Sequence, residues 1–298
     1  MFTALTTNSP SIRSILLLVV LVLAGAFGLL LKYGNGNSKA TKAQGNVTLP
    51  VEFFIPERFW SGAGEAKLVK AQGRVVAALV PHHLVAGKLI SEIFLQLQAQ
   101  GVEKIILVGP NHYEKGANNV QYNSTNWQTD LGLVTGGKLF GNLPDTRPEV
   151  MVKEHSIAGL LPYLAHYVPS AQVFSIILKH NTKNQEVESL ANTIVDAWDK
   201  GTVLVSSVDF SHYLPLEVAE QRDEYTRQVL LNMNENALYP LNNDYMDSPA
   251  SVALLMKFCK KLGSKAFTIQ NHANSAEVLS NPYLNSTTSY FTGYCVAG

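Results

Sequence analysis

Eight histidines are spread over 298 residues, and three of them follow apolar runs. Val75 to Val80 (VVAALV) leads into Pro81-His82-His83. Lys104 to Gly109 (KIILVG) leads into Pro110-Asn111-His112. Thr202 to Ser207 (TVLVSS) leads into Val208-Asp209-Phe210-Ser211-His212. Neutral imidazole is the commonest side-chain metal ligand, and it moves protons near neutral pH. A lone histidine is more often a hydrogen-bonded structural residue. Three of them at equivalent strand ends point to a site instead.

The pattern names candidates. His82 and His112 are 30 residues apart, the length of one strand–helix–strand unit, which predicts adjacent strands. Successive extended residues point to opposite sides, so one of His82 and His83 faces the site, with His82 preferred. Asp209 and His212 share a face if the intervening turn is helical, and the carboxylate would then orient the imidazole as a base. The plainer reading of Asp209 is a helix N-cap. His155, in Glu154-His155-Ser156, opens a helix that could reach the same edge. Ser206, Ser207 and Ser211 lack the G-x-S-x-G surroundings of a hydrolase nucleophile. No G-x-x-x-x-G-K-[ST] phosphate loop is present. His166, His180 and His272 read as surface residues. Cys259 and Cys295 read as core rather than reactive thiols.

The elements that must position these residues alternate. Strands are expected at 75–80, 104–109, 173–178 and 202–207. Helices are expected at 85–100, 150–167 (interrupted by Pro162), 185–198, 215–233 and 249–262. Strands follow at 266–270 and 288–296, and for the last of them an antiparallel placement is open. Such alternation predicts a three-layer α/β sandwich with a mainly parallel central sheet. Ligands bind such sheets at the carboxyl ends of the strands, where the histidines lie.

Composition narrows the classes. Hydrophobic residues make up 46% and charged residues 15%, which excludes a disordered chain. Lys plus Arg equals Asp plus Glu at 23 each, so no basic excess serves nucleic acid. Two cysteines cannot supply a multi-bridge scaffold or a four-thiolate zinc site. The balance is uneven, since no acidic residue precedes Glu52. Ser14 to Leu31 is uncharged and apolar. It predicts a single N-terminal transmembrane helix, in preference to a signal cleaved near Ala24-Gly25-Ala26. The lysines after it favour a cytoplasmic C-terminal side. The short leading tail favours export, and an extracytoplasmic domain is expected. The expected organisation is tail 1–13, anchor 14–31, flexible tether 32–50 and α/β domain 51–298.

The ordered set PHH (81–83), GPNH (109–112), EHS (154–156) with Leu161-Pro162-Tyr163, and VSSVDFSH (205–212) resembles the Memo family. Bacterial members of that family are called AmmeMemoRadiSam system protein B. The resemblance covers about Gly73 to the C-terminus. It implies the α/β fold of class III extradiol dioxygenases, the LigB-like proteins. It carries His82 and His112 onto two metal ligands, His212 with Asp209 onto an acid/base pair, and His155 onto the cavity wall. The family's third ligand is a cysteine in a C-G-x-x-P stretch. Here that stretch reads Asn243-Asp244-Tyr245-Met246-Asp247-Ser248-Pro249, so Tyr245, Met246 or Asp247 falls there. Asp247 would give two histidines and a carboxylate, the triad of non-haem iron(II). The alternative is that Asp247 caps the following helix.

The expected function is thus a metal-dependent, dioxygenase-like redox enzyme acting on a small molecule. Its cofactor would be a divalent metal, iron before copper or zinc. The alternatives are a binding module that retains the pocket without chemistry, or a zinc-dependent hydrolase. By resemblance, a radical-SAM enzyme and an AMMECR-type protein are expected partners.

Overall fold

The computed structural model describes residues 48–138 and 147–298. The expected tail, anchor and most of the tether lie outside them. Among the described residues no helix is long and apolar enough to cross a membrane. The longest, Leu216–Leu231, has 16 residues and carries charge, against the roughly 20 apolar residues a bilayer needs. The expectation of a single-pass membrane protein is corrected on this finding. Thr48–Pro50, assigned above to the tether, is a strand paired with Asn126–Thr129.

The fold is mixed α/β, dominated by its sheet. Its strands are β1 (Thr48–Pro50), β2 (Val75–Val80), β3 (Lys104–Pro110), β4 (Val120–Asn123), β5 (Asn126–Thr129), β6 (Gly132–Gly136), β7 (Gln172–Leu178), β8 (Thr202–Ser207), β9 (Phe210–Leu214), β10 (Thr268–Asn274) and β11 (Thr287–Val296). The sheet runs β1-β5-β6-β7-β3-β8-β2-β11-β10, with β4 beside β7 and β9 beside β11. Neighbours from β6 through β2 are parallel, and β11 is antiparallel to β2. Helices α1 (Pro56–Glu65), α2 (Gly87–Ala99), α3 (Pro148–Val152), α4 (His155–Ala158), α5 (Leu161–Tyr167), α6 (Asn184–Asp196), α7 (Leu216–Leu231), α8 (Pro249–Lys261) and α9 (Ser275–Val278) complete it.

Two apolar cores follow from the strand period of two. In β3, Ile105 and Leu107 join Ile90, Ile93 and Phe94 of α2 and Leu161 of α5. Ile106 and Val108 join Val187 and Ile194 of α6 and Leu254 and Phe258 of α8. Both faces of the central strands are therefore covered, which is why these strands read as unbroken apolar runs. Helix α2 stops at Gln100, and Gly101 beyond it takes φ +61°, the left-handed conformation that a glycine supplies at that place. The expected helix at 150–167 is three short ones, α3, α4 and α5, with Pro162 in the first turn of α5.

Cys259 of α8 and Cys295 of β11 are buried in the core as expected, and they are bonded to each other. Their separation of 36 residues puts the unfolded-state entropy term at roughly 3–4 kcal/mol. Replacing both by alanine should lower the thermal midpoint by roughly 10 °C, read by calorimetry against the oxidised wild type. An unchanged midpoint would remove the bond from the account of stability.

Candidate metal centre

The parallel register brings three loops to one level. Val80 of β2 lies against Ser207 of β8, and Val108 of β3 against Ser206. His82, His112 and Asp209 each sit two residues beyond their strand. The expected adjacency of β2 and β3 does not hold, because β8 lies between them. Strand β8 ends there in the small side chains Ser206 and Ser207, and the two imidazoles meet beyond it with ring centroids 5.2 Å apart.

Hydrogen bonds fix which nitrogen of each ring is free. Ser207 Oγ donates its one hydrogen to the Ser156 carbonyl at 2.6 Å, so it must accept from His82 Nδ1 at 3.0 Å. His112 Nδ1 donates to Glu154 Oε1 at 2.7 Å. The Glu154 carboxylate also accepts the backbone N–H of His112 at 2.8 Å and of Ser156 at 3.2 Å. Both Nε2 atoms are thereby turned toward one carboxylate oxygen. Asp247 Oδ2 lies 3.1 Å from His82 Nε2 and 3.5 Å from His112 Nε2. Asp209 Oδ2 lies 3.5 Å from His82 Nε2.

Lone pairs aimed at a carboxylate repel it unless a proton or a metal cation lies between them. The pKa directions express this demand. Burial by itself lowers His82, but Asp209 and Asp247 raise it above its ordinary value. Burial opposes His112 too, yet its bonds to Asp247 and Glu154 push it up to about 10. Asp247 is held well below the carboxylate range: burial works against this, and His82 and His112 outweigh it. Glu154 is likewise lowered despite its burial, chiefly by His112. His82 Nε2 and Asp247 Oδ1 are buried without a hydrogen-bond partner. Ligand-capable atoms of His82, Asp209 and Asp247 lie within 4.8 Å of one another, as do those of His82, His112 and His155. A divalent cation fits this donor set, with each outer Nδ1 already fixed by Ser207 or Glu154.

Of the three residues weighed for the altered stretch, only Asp247 reaches the cluster. Met246 is buried in the core, and Tyr245 Oη accepts from Arg222 Nη1 at 2.6 Å. Asp247 is not the helix cap either. Ser248 holds that position and accepts the Ser251 N–H.

His155 stacks on His112, with centroids 4.1 Å apart and planes 19° apart. Burial, together with His82 and His112, lowers it to about 4, so it is neutral at pH 7. Asp209 and His212 do not pair. His212 lies in the strand β9 and Asp209 just before it rather than both on a helical turn, and Asp209 Oδ1 instead accepts the backbone N–H of His82 at 3.0 Å and of His83 at 3.3 Å. His212 still lines the cavity, with Nδ1 buried and unpartnered. His83 lines it as well, contrary to the expectation that only one of the pair would, because the chain turns at Leu84–Ala86. Its Nδ1 lies 2.7 Å from the Tyr290 hydroxyl. His166 and His180 are exposed as expected. His272 is not in a loop: it lies in β10, half-buried, 2.8 Å from Asp223 Oδ2.

Glu154 and Ser207 are the positions whose roles sequence reasoning missed. Glu154 was visible as the residue before a helix; it caps α4 and orients His112 with the same carboxylate. Glu154→Gln should weaken metal affinity roughly 10–100-fold at unchanged fold, measured by competition with a chelator. Wild-type affinity in this variant would remove Glu154 from the centre.

The Memo family's sequence profile, described as Memo-like protein, matches residues 60–294. A MEMO1 family protein of Caldivirga maquilingensis is 26% identical over 231 residues, covering 72% of this chain and 81% of the relative. A second, from Pyrobaculum arsenaticum, is 24% identical over 262 residues, covering 80% and 92%. Among solved structures, an uncharacterised protein of Escherichia coli K12 superposes with TM-score 0.48 at 13% identity, over 73% of this chain and 99% of that one. With a profile match running through His82, His112, His155, Asp209, His212 and Asp247, the chain belongs to the Memo family.

Proposed function

We propose that this chain is a metal-dependent, dioxygenase-like redox enzyme acting on a small molecule in a LigB-like three-layer fold. The carrying observation is the pair of Nε2 atoms, each with its Nδ1 fixed, that converge on Asp247 Oδ2 at 3.1 and 3.5 Å. His82, His112 and Asp247 would hold the ion, with Asp209 as the neighbouring carboxylate. The donors are nitrogen and oxygen, which favours iron over copper. Both cysteines are joined in the disulfide and offer no thiolate. Iron(II) in such a set supplies one-electron chemistry toward dioxygen.

The remaining residues shape the reaction space. His212 is placed on the cavity wall with a free Nδ1 to take or give a proton. His155, neutral at pH 7, can accept a hydrogen bond there without adding charge to the cluster. A cavity of about 700 Å³ opens from His82, His155 and Asp209, large enough for a small organic ligand.

The test is dioxygen uptake by the iron-loaded full chain with catechol as probe. Expected is uptake that requires iron and falls roughly 10²-fold or more in His212→Ala at unchanged iron content. Iron-loaded protein with no uptake above the His212→Ala variant would overturn the redox reading.

A further inference from the structure

The wall of the same cavity carries a positive charge that the metal donors do not use. Arg58 lines it, and among the described residues no carboxylate pairs with its guanidinium. Among the described residues Asp209 is the one acidic residue on the wall, and its Oδ1 is taken up by the backbone N–H groups of His82 and His83.

The position of Arg58 is built into the backbone. Phe59 beside it is buried against Tyr163, with centroids 4.8 Å apart. A Cβ on Gly62 would meet the Gly87 carbonyl carbon at 2.4 Å, and one on Gly87 would meet Arg58 O at 2.7 Å. Helix α1 therefore lies directly on the start of α2, a few residues beyond His82 and His83.

Part of the same wall is apolar. Leu84, Leu279 and Leu284 line it together with Tyr213. Tyr213 is 76% exposed and holds φ +57°, a conformation that costs an ordinary side chain free energy. An exposed ring kept on a cavity wall by a strained backbone, next to His212, is placed to contact a ligand.

The geometry points to a small organic carboxylate as the occupant, its anionic group paired with Arg58 and its apolar body laid along Tyr213 and Leu279 toward the metal donors. This deepens the proposed function, since it rests on reading the cavity as the ligand site of that centre. Arg58 then sets specificity: it selects an anionic group through a charge-assisted, bidentate contact.

The probe is 3-phenylpropanoate against its uncharged analogue 3-phenylpropanamide, titrated calorimetrically into the full chain with and without iron. Wild type should prefer the carboxylate roughly tenfold or more in both forms, and Arg58→Gln should abolish the preference while retaining iron. Arg58→Lys should keep part of it. Equal binding of the two probes by wild type overturns the inference. So does a preference that survives Arg58→Gln but vanishes in His82→Ala/His112→Ala, because the carboxylate would then sit on the metal. If wild type takes up no iron yet shows the Arg58-dependent preference, the metal reading fails and this inference stands.

Discussion

A chain carrying His82→Ala and His112→Ala together should fail to take up the metal ion proposed for the wild type. The two imidazoles supply both nitrogens that face Asp247 Oδ2, and among the described residues no other side chain offers a nitrogen to it at those distances. Loss of a partner outside the donor set already costs roughly 10–100-fold in affinity, and the loss of two donors should exceed about 10³-fold. The variant should remain folded, since the sheet registers and both cores lie below the site. It will still be less stable, because it leaves Asp247 buried without its two partners, a mechanism that costs about 3–5 kcal/mol. Circular dichroism and elemental analysis on the same sample separate the two effects. Stoichiometric metal in a folded double variant would place the ion elsewhere.

The second large effect is that of Asp247→Ala on the metal-free protein. His112 owes its rise to about 10 in part to Asp247. A histidine raised in the folded state contributes stability that is fully present below its unfolded value of about 6.5 and is lost as pH rises toward 10. Asp247 itself is lowered from 3.8, so its contribution is present above that value and is lost as pH falls through its folded pKa. The destabilisation by Asp247→Ala should therefore be largest at about pH 4–6.5, at about 3–5 kcal/mol, and should shrink toward pH 10. Denaturant titrations of wild type and variant in chelator across this range measure it. A difference that grows with pH would contradict the proton-filled centre.

The central strands were legible because both their faces are buried, so that VVAALV, KIILVG and TVLVSS read as apolar runs. The short strands β4, β5 and β6 are not, because half-exposed segments such as NWQT carry little hydrophobic pattern. The segment VDFSH reads locally as a turn, and only the pairing of β9 with β11 separates His212 from Asp209. Strand order was read from sequence proximity, and the insertion of β8 between β2 and β3 is a tertiary choice that no local run encodes. The histidines of the site were visible because each directly follows a strand. The residues that orient them were not, since Glu154 reads as a cap and Ser207 as the end of a strand. Asp247 could be ranked only against Tyr245 and Met246. Its selection depends on the Phe210–Met246 bridge and the cap at Ser248, which leave the carboxylate turned inward.

The most direct measurement is an anaerobic titration of the full-length chain with iron(II), followed by calorimetry in buffers of different ionisation enthalpy. The predicted result is one saturable site that releases protons on binding and tightens as pH rises, because the metal displaces the protons held between His82, His112 and Asp247. Absence of saturable binding, or binding without proton release at neutral pH, would contradict the assignment of this cluster as the metal centre.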